Sequence, residues 1–149
     1  MYTDTVTIFN KRGDSKVGIT WYPTVLHNVD LITDKGANVA KTGLESADTA
    51  KLHVRYNLTD GAITISGKTY KRQKEWAALS ILETPTSLTF NTGDFFYRGE
   101  YSESPINNSD PAYKDGFQTY FGKTYDDVYL ITTVGGPYKL IPHFEIGGK

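Results

Sequence analysis

Short runs of β-branched and aromatic residues, each ended by a turn, follow one another along this chain. Residues 49–56 alternate cleanly, with Leu52 on one face and Lys51 on the other, and Val128–Val134 is the most β-prone run. The chain also has 11 Tyr and 7 Phe, which pack well on pleated surfaces. Because alternation of period two gives a strand one apolar face, the chain is predicted to be mainly β.

Turn residues between β-prone arms predict two hairpins. Ser66-Gly67 stands in the middle of residues 62–70, and Gly135-Gly136 connects Val128–Val134 to residues 138–146. Ser and Gly are common turn residues, and Gly adopts positive φ at no steric cost. The second hairpin closes the chain.

A third strand pair is predicted around a Gly-Asp turn. Ser87–Phe90 and Phe95–Arg98 flank Asn91–Asp94, where Gly93 can supply a positive φ. On the second strand, Phe95 and Tyr97 should share one face while Phe96 and Arg98 share the other.

Two helices and one long loop complete the predicted elements. A short helix is expected over residues 73–79, and Asp110 with Pro111 is typical of the start of a second helix that reaches Phe121. Between Ile32 and Asp48 the apolar alternation fails, which predicts a long polar loop that is either functional or disordered. The predicted fold is a small antiparallel β-barrel or sandwich with these additions.

Length and charge point to one domain without a general affinity for nucleic acid. A chain of 149 residues is of ordinary single-domain size. Its 16 basic and 17 acidic residues give a formal net charge of −1, so binding to DNA would need a local basic patch. There is no cysteine, basic leader or long apolar run, so neither a disulfide, a signal peptide nor a membrane span is predicted.

No catalytic, cofactor or metal site is predicted, and the chain is interpreted as a protein without enzyme activity. His27, His53 and His143 are far apart in sequence, and no Gly-x-Ser-x-Gly elbow accompanies them. The chain lacks a His-Glu-x-x-His motif, and Gly135-Gly136 stands between strands, not before a phosphate-binding helix.

One basic cluster could meet phosphate or a protein partner. Basic and aromatic residues are interleaved over nine positions, an arrangement suited to contacting phosphate and stacking on a base, although a solvated face is the alternative. The members of this basic cluster are Lys68, Tyr70, Lys71, Arg72, Lys74 and Trp76.

Several segments, in their order along the chain, resemble a known family. They are Thr5–Lys11, Trp21–Val29, Leu88–Asp94, Arg98–Glu100, Tyr129–Val134 and His143–Lys149. Together they are similar to the head-closure, or stopper-type minor capsid, proteins of the tailed-phage neck.

The resemblance implies a structural subunit that is assembled in the host bacterial cytoplasm and located in the virion, without a membrane. Such a subunit would form a cyclic ring with copies of itself. A portal or adaptor protein would lie on one side and a tail terminator or tail protein on the other, with packaged DNA retained in the channel. The predicted loop is the candidate channel element, through its charged residues Asp34, Lys35, Lys41, Glu45 and Asp48.

Two other functions remain open from the sequence. The chain could be a phage-encoded binding protein that inhibits a host factor through an acidic or aromatic surface. It could also be an oligonucleotide-binding barrel that uses Tyr70 and Trp76 for stacking.

Overall fold

The structure, a computed structural model, describes residues 2–14, 16–34, 37–40, 43–46 and 49–149, and for 37–40 and 43–46 the backbone alone. It contains thirteen strands and two α-helices in the described part of the chain. The strands are β1 (Asp4–Asp14), β2 (Gly18–Asp34), β3 (Ala37–Ala40), β4 (Gly43–Ser46), β5 (Thr49–Arg55), β6 (Asn57–Thr59), β7 (Ala62–Ile65), β8 (Lys68–Tyr70), β9 (Ser87–Leu88), β10 (Phe95–Arg98), β11 (Ile106–Asn107), β12 (Val128–Tyr138) and β13 (His143–Gly148). The helices are α1 (Gln73–Ala77) and α2 (Phe117–Thr124), and a 3-10 turn spans Thr84–Thr86.

Six antiparallel strands close into a barrel. They follow one another in the order β1, β10, β12, β13, β5 and β2, and β1 pairs with β2 to complete the circle. Strand β11 adds to β2 outside this circle. The predicted small barrel with two helices is therefore confirmed. Closure removes free edges from the barrel wall, which is how small β proteins avoid uncontrolled pairing.

Two apolar clusters lie on opposite sides of the barrel wall. The inner cluster fills the barrel and includes Ile8, Phe96 and Phe144. The outer cluster lies between the wall and α2, where Phe9 and Phe95 stack at 4.5 Å between ring centroids. Neighbouring residues of one strand thus face different clusters, as alternation requires. The predicted opposite faces of Phe95 and Phe96 are confirmed.

A smaller sheet of β6, β7, β8 and β9 packs onto the barrel. Ile65 and Leu88 belong to the inner cluster, and Tyr70 packs against it. The Ser66-Gly67 hairpin is confirmed, since both residues have positive φ, 49° and 80°. The predicted pairing of Ser87–Phe90 with Phe95–Arg98 is wrong: β9 pairs in parallel with β8, and β10 pairs with β1 and β12.

The segment predicted as a long loop contains strands. Strand β2 continues to Asp34, which pairs with Thr49, and β3 pairs with β4 through Ala37 and Ser46. The paired strands β3 and β4, which lie between β2 and β5 in the chain, are here called the arm. The sequence did not signal these strands, because the segment has no alternating apolar run.

Two predicted boundaries are also wrong. Helix α2 begins at Phe117, after Gly116 with φ 95°, because Asp110 caps only a local turn through Ala112 N. The terminal hairpin exists, but Gly135-Gly136 lies inside β12, and the chain turns over residues 139–142. Within the described residues, no helix is long and apolar enough to cross a membrane.

Candidate functional site

The outward side chains of β2, β5 and β13 form a continuous surface, here called the outer face. Their inward neighbours, such as Leu31, Leu52 and Ile146, fill the barrel. Strand pairing places the outward residues in rows. The rows are Asp30, His53 and Glu145; then Ile32, Lys51 and Gly147; then Arg55 and His143.

Two histidines meet on the outer face although 90 residues separate them. Their ring centroids are 6.1 Å apart, and Glu145 Oε1 lies 3.8 Å from His53 Nε2 and 3.3 Å from His143 Nε2. Asp30 Oδ2 is 3.6 Å from His53 Nδ1. His143 Nδ1 donates to the Ile141 carbonyl at 2.5 Å, since a carbonyl can only accept. The cluster is therefore an ordered, polar and partly exposed surface.

This cluster does not have the arrangement of a metal centre or a triad. Among the described residues, no group of three or more His, Asp or Glu side chains is placed to hold a metal ion. His27 lies elsewhere, beside a pocket that Asn28 and Arg55 also line.

An apolar pocket of about 450 Å³ opens at one end of the outer face. Its lining residues are Ile32, Asp34, Thr49, Ala50, Lys51, Thr132, Gly147 and Gly148. Gly147 allows the close approach of β12, because a Cβ there would stand 2.2 Å from Thr133 Oγ1. Ile32 remains 53% exposed, so the pocket presents apolar surface to its surroundings.

An apolar projection stands at the other end of the same strands. Leu140 and Ile141, in the turn between β12 and β13, are 98% and 67% exposed. Tyr56 Oη donates to Tyr138 O at 2.8 Å and fixes the base of this turn.

The Gly-Asp turn that precedes β10 holds a buried carboxyl group. Asp94 is 2% exposed, and its two oxygens accept from Asn10 Nδ2 at 3.0 Å and from Lys11 N at 3.1 Å. Burial raises the pKa of Asp94 to about 7, although both hydrogen bonds lower it. Because it is buried and its hydrogen bonds connect the turn to β1, this carboxyl group has a structural role.

The basic cluster does not form a stacking surface. Trp76 is 3% exposed and donates Nε1–H to Lys11 O, and Tyr70 packs on Phe144 at 4.7 Å between centroids. Lys68 Nζ is held by Thr24 Oγ1 at 2.9 Å and Glu103 Oε2 at 3.2 Å. The aromatic members are used by the fold, since their apolar bodies complete the core. The exposed members are Arg72 and Lys74, and Lys71 is partly buried.

The candidate channel residues are only partly described. Asp34 is exposed at the end of β2, and Glu45 lies on β4, where the backbone alone is described. Lys35, Lys41 and Asp48 lie outside the described residues.

Sequence reasoning missed the outer face as a site. Alternation in residues 49–56 placed Lys51 and His53 on one side, but adjacency to His143 and Glu145 depends on β5 pairing with β13. Gly147, whose missing side chain lets Thr133 of the neighbouring strand pack closely, was a local signal in the sequence.

Comparison with known proteins gives one family. A family model described as "Family of unknown function (DUF6751)" matches residues 1–149. No curated protein and no solved structure matches the chain.

Proposed function

The chain belongs to the DUF6751 family, and we propose that it is a structural subunit of the tailed-phage neck. In this role it assembles as a ring between the portal or adaptor and the tail, and it helps to retain packaged DNA. It acts by occupying space and making contacts, without a catalytic step.

The arm is the observation that carries this proposal. The barrel is closed, and the paired strands β3 and β4 add a two-stranded element between the barrel strands β2 and β5 of the chain. An extended two-stranded element is suited to reaching a neighbouring subunit or a central channel, because its edges offer backbone groups for further pairing. The ordered sequence resemblance to head-closure proteins supports the same role.

Shortening the arm tests the channel role. Asp34 pairs with Thr49, so replacing residues 35–48 by Asn-Gly should close the hairpin with a two-residue turn and keep the barrel. We expect particles carrying this variant to assemble but to lose packaged DNA. The control variant keeps residues 35–48 and carries only the substitution Asp34→Asn. If particles with the short arm retain DNA as well as wild type, the arm does not close the channel.

The location of the protein tests the neck role separately. We expect mass spectrometry of purified virions to detect the chain, and electron cryomicroscopy to show it between portal and tail. An inhibitor of a host factor would instead be made during infection and be missing from particles. Virions that lack the chain would contradict the neck role.

A further inference from the structure

A cleft lies where strands β2 and β5 separate. The two strands stay paired as far as Asp30 and His53. Next to this point the register of β1 and β2 shifts, and Asn28 has φ 57°, which marks a bulge in β2. The space that opens here is about 740 Å³ and is lined from both strands. This volume is within the range of small-molecule sites, roughly 300–1,000 Å³.

The cleft has an apolar floor and a polar rim. The buried side chains of Val25, Val54 and Ile65 line its floor. Exposed polar side chains from β2, β5, β6 and the β7–β8 turn stand around them. These rim residues are His27, Asn28, Arg55, Asn57 and Ser66. Within the part of the chain that the structure describes, none of the five side chains has a hydrogen-bond partner, so their donors are available to a ligand.

Arg55 supplies a positive charge that no carboxylate neutralises. Its Cζ lies 3.8 Å from the ring centroid of Tyr2, which also lines the cleft. Stacking on the ring holds the guanidinium in place but uses none of its N–H donors. Among the described residues, no carboxylate forms an ion pair with Arg55. Asp30 and Glu145, in the neighbouring row of the outer face, contact His53 instead.

Glu103 also lines the cleft, but its charge is already compensated. Its Oε2 is 3.2 Å from Lys68 Nζ. Lys68 Nζ also donates to Thr24 Oγ1 at 2.9 Å and to Pro23 O at 3.1 Å, and the Lys68 side chain is only 14% exposed. Because this ion pair is fixed at the wall, the guanidinium of Arg55 is the charge left in excess. The cleft therefore favours an anion over a cation.

We propose that the cleft binds a small anionic molecule, a carboxylate or a phosphate ester with a compact apolar body. Its anionic group pairs with Arg55, whose planar fork matches the oxygens of a carboxylate or phosphate. Asn28, Asn57 and Ser66 supply further donors, and the apolar body lies on the buried floor. The bound molecule bridges β2 and β5 beyond their last backbone pair. This site goes beyond the proposed structural role, because it assigns the barrel a ligand.

Phenyl phosphate and benzoate are the probes, since each joins an anion to an apolar ring, and benzamide is the uncharged control. In ¹H–¹⁵N correlation spectra we expect saturable shifts at Asn28, Asn57, Ser66 and the Arg55 side chain. The dissociation constant should be lower for an anion than for benzamide by about tenfold or more. Tighter binding of phenyl phosphate would identify a phosphate ester and tighter binding of benzoate a carboxylate, and either result supports the inference.

Substitutions at the rim test whether charge selects the ligand. Arg55→Gln should raise the dissociation constant by about tenfold or more, because the amide keeps polarity without the charge. Asn57→Asp should also weaken binding, since it adds a negative charge to the rim. Arg72→Gln is the matched control, because Arg72 is exposed and lines a different pocket. Circular dichroism of each variant checks its fold.

Three results would overturn the inference: anion binding no tighter than that of benzamide, binding unchanged by Arg55→Gln, or an equal loss with Arg72→Gln. Shifts that grow linearly with concentration and spread over many lysines and arginines would also overturn it, because they indicate nonspecific charge screening. The virion experiment is independent of these outcomes. It locates the protein, whereas the spectra report on the cleft of the isolated chain.

Discussion

At the scale of single residues, Asp94 combines burial with full use of its oxygens. Its turn begins with Asn91 and contains Gly93 at φ 95°, and its carboxyl group accepts from Asn10 and Lys11 on β1. Ile131 N donates to Asp94 O at 2.8 Å, so the same residue also contacts β12. Asp94 therefore links three parts of the barrel wall, at the cost of desolvating a carboxylate.

The raised pKa of Asp94 predicts a pH-dependent stability. The folded group titrates near 7 and the unfolded group near 3.8, so between these values the unfolded state releases a proton that the folded state keeps. Its contribution to the free energy of unfolding should fall as pH rises from 4 to 7, by up to about 4 kcal/mol at 1.36 kcal/mol per unit. Above pH 7 it should stay constant.

Urea unfolding of wild type and Asp94→Asn from pH 4 to 8 measures this. Asparagine cannot ionise, and any fixed cost of the substitution cancels in the pH dependence. The stability of wild type minus that of Asp94→Asn should decrease up to pH 7 and then level. A difference that does not change with pH would contradict a raised pKa.

The outer face shows how far residue patterns predict a site. Alternation correctly assigned His53 to the outward side of its strand, since neighbouring side chains point to opposite faces. The distance of 3.8 Å from His53 Nε2 to Glu145 Oε1 depends on strand order, which single-strand patterns do not contain. Trp76 illustrates the opposite error: its neighbours are charged, yet its ring is buried because α1 packs it against β1.

At the scale of elements, two glycines of similar backbone conformation lie where β1 ends and β2 begins. Gly13 has φ +96° and Gly18 has φ +90°, but their surroundings differ. A Cβ on Gly13 would lie 2.1 Å from Gly18 O, whereas a Cβ on Gly18 would meet nothing within 4 Å. The first site is closed by the backbone of the partner strand and the second is open.

Alanine at each position separates backbone strain from steric overlap. Gly18→Ala should lower the free energy of unfolding by about 1–2 kcal/mol, since a positive φ is strained for alanine. Gly13→Ala should cost about another 1–3 kcal/mol, because one of the two strands must move. Urea midpoints of the two variants provide the comparison. Equal losses would show that the clash is relieved without cost.

Elements were predicted well where the turn residues decide the geometry. Ser66-Gly67 fixed the β7–β8 hairpin, because both residues adopt positive φ. The turn predicted at Gly135-Gly136 was wrong because glycine also permits a bulge within a strand. The register of β12 and β13 shifts between Gly135 and Tyr138. Asp110 likewise capped a turn without a helix, since α2 takes its start from Gly116.

At the scale of the whole molecule, composition and alternation predicted the barrel but not its strand order. Closure depends on β1 pairing with both β2 and β10, and β10 begins more than 80 residues after β1. Such long-range pairing leaves no local signature in either segment.

The shared wall predicts that the molecule unfolds as one unit. On β1, Ile8 faces the inner cluster and Phe9 the outer; on β10, Phe96 and Phe95 divide in the same way. If β1 or β10 separated from one cluster, the residues of the other cluster on the same strand would also be exposed. We therefore expect a single cooperative transition, as is usual for domains of this size.

The two tryptophans report on separate regions and allow a test. Trp21 packs on Phe95 in the outer cluster at 5.0 Å between centroids, and Trp76 lies against Tyr22 at 5.9 Å. In Trp76→Phe, fluorescence follows the outer cluster, and in Trp21→Phe it follows the region of α1. Within each variant, the urea midpoint from fluorescence should equal that from far-ultraviolet circular dichroism, which follows the sheet. If Trp21 fluorescence changes at lower urea than the dichroism, α2 and the outer cluster separate from the barrel first, and the wall does not couple the two clusters.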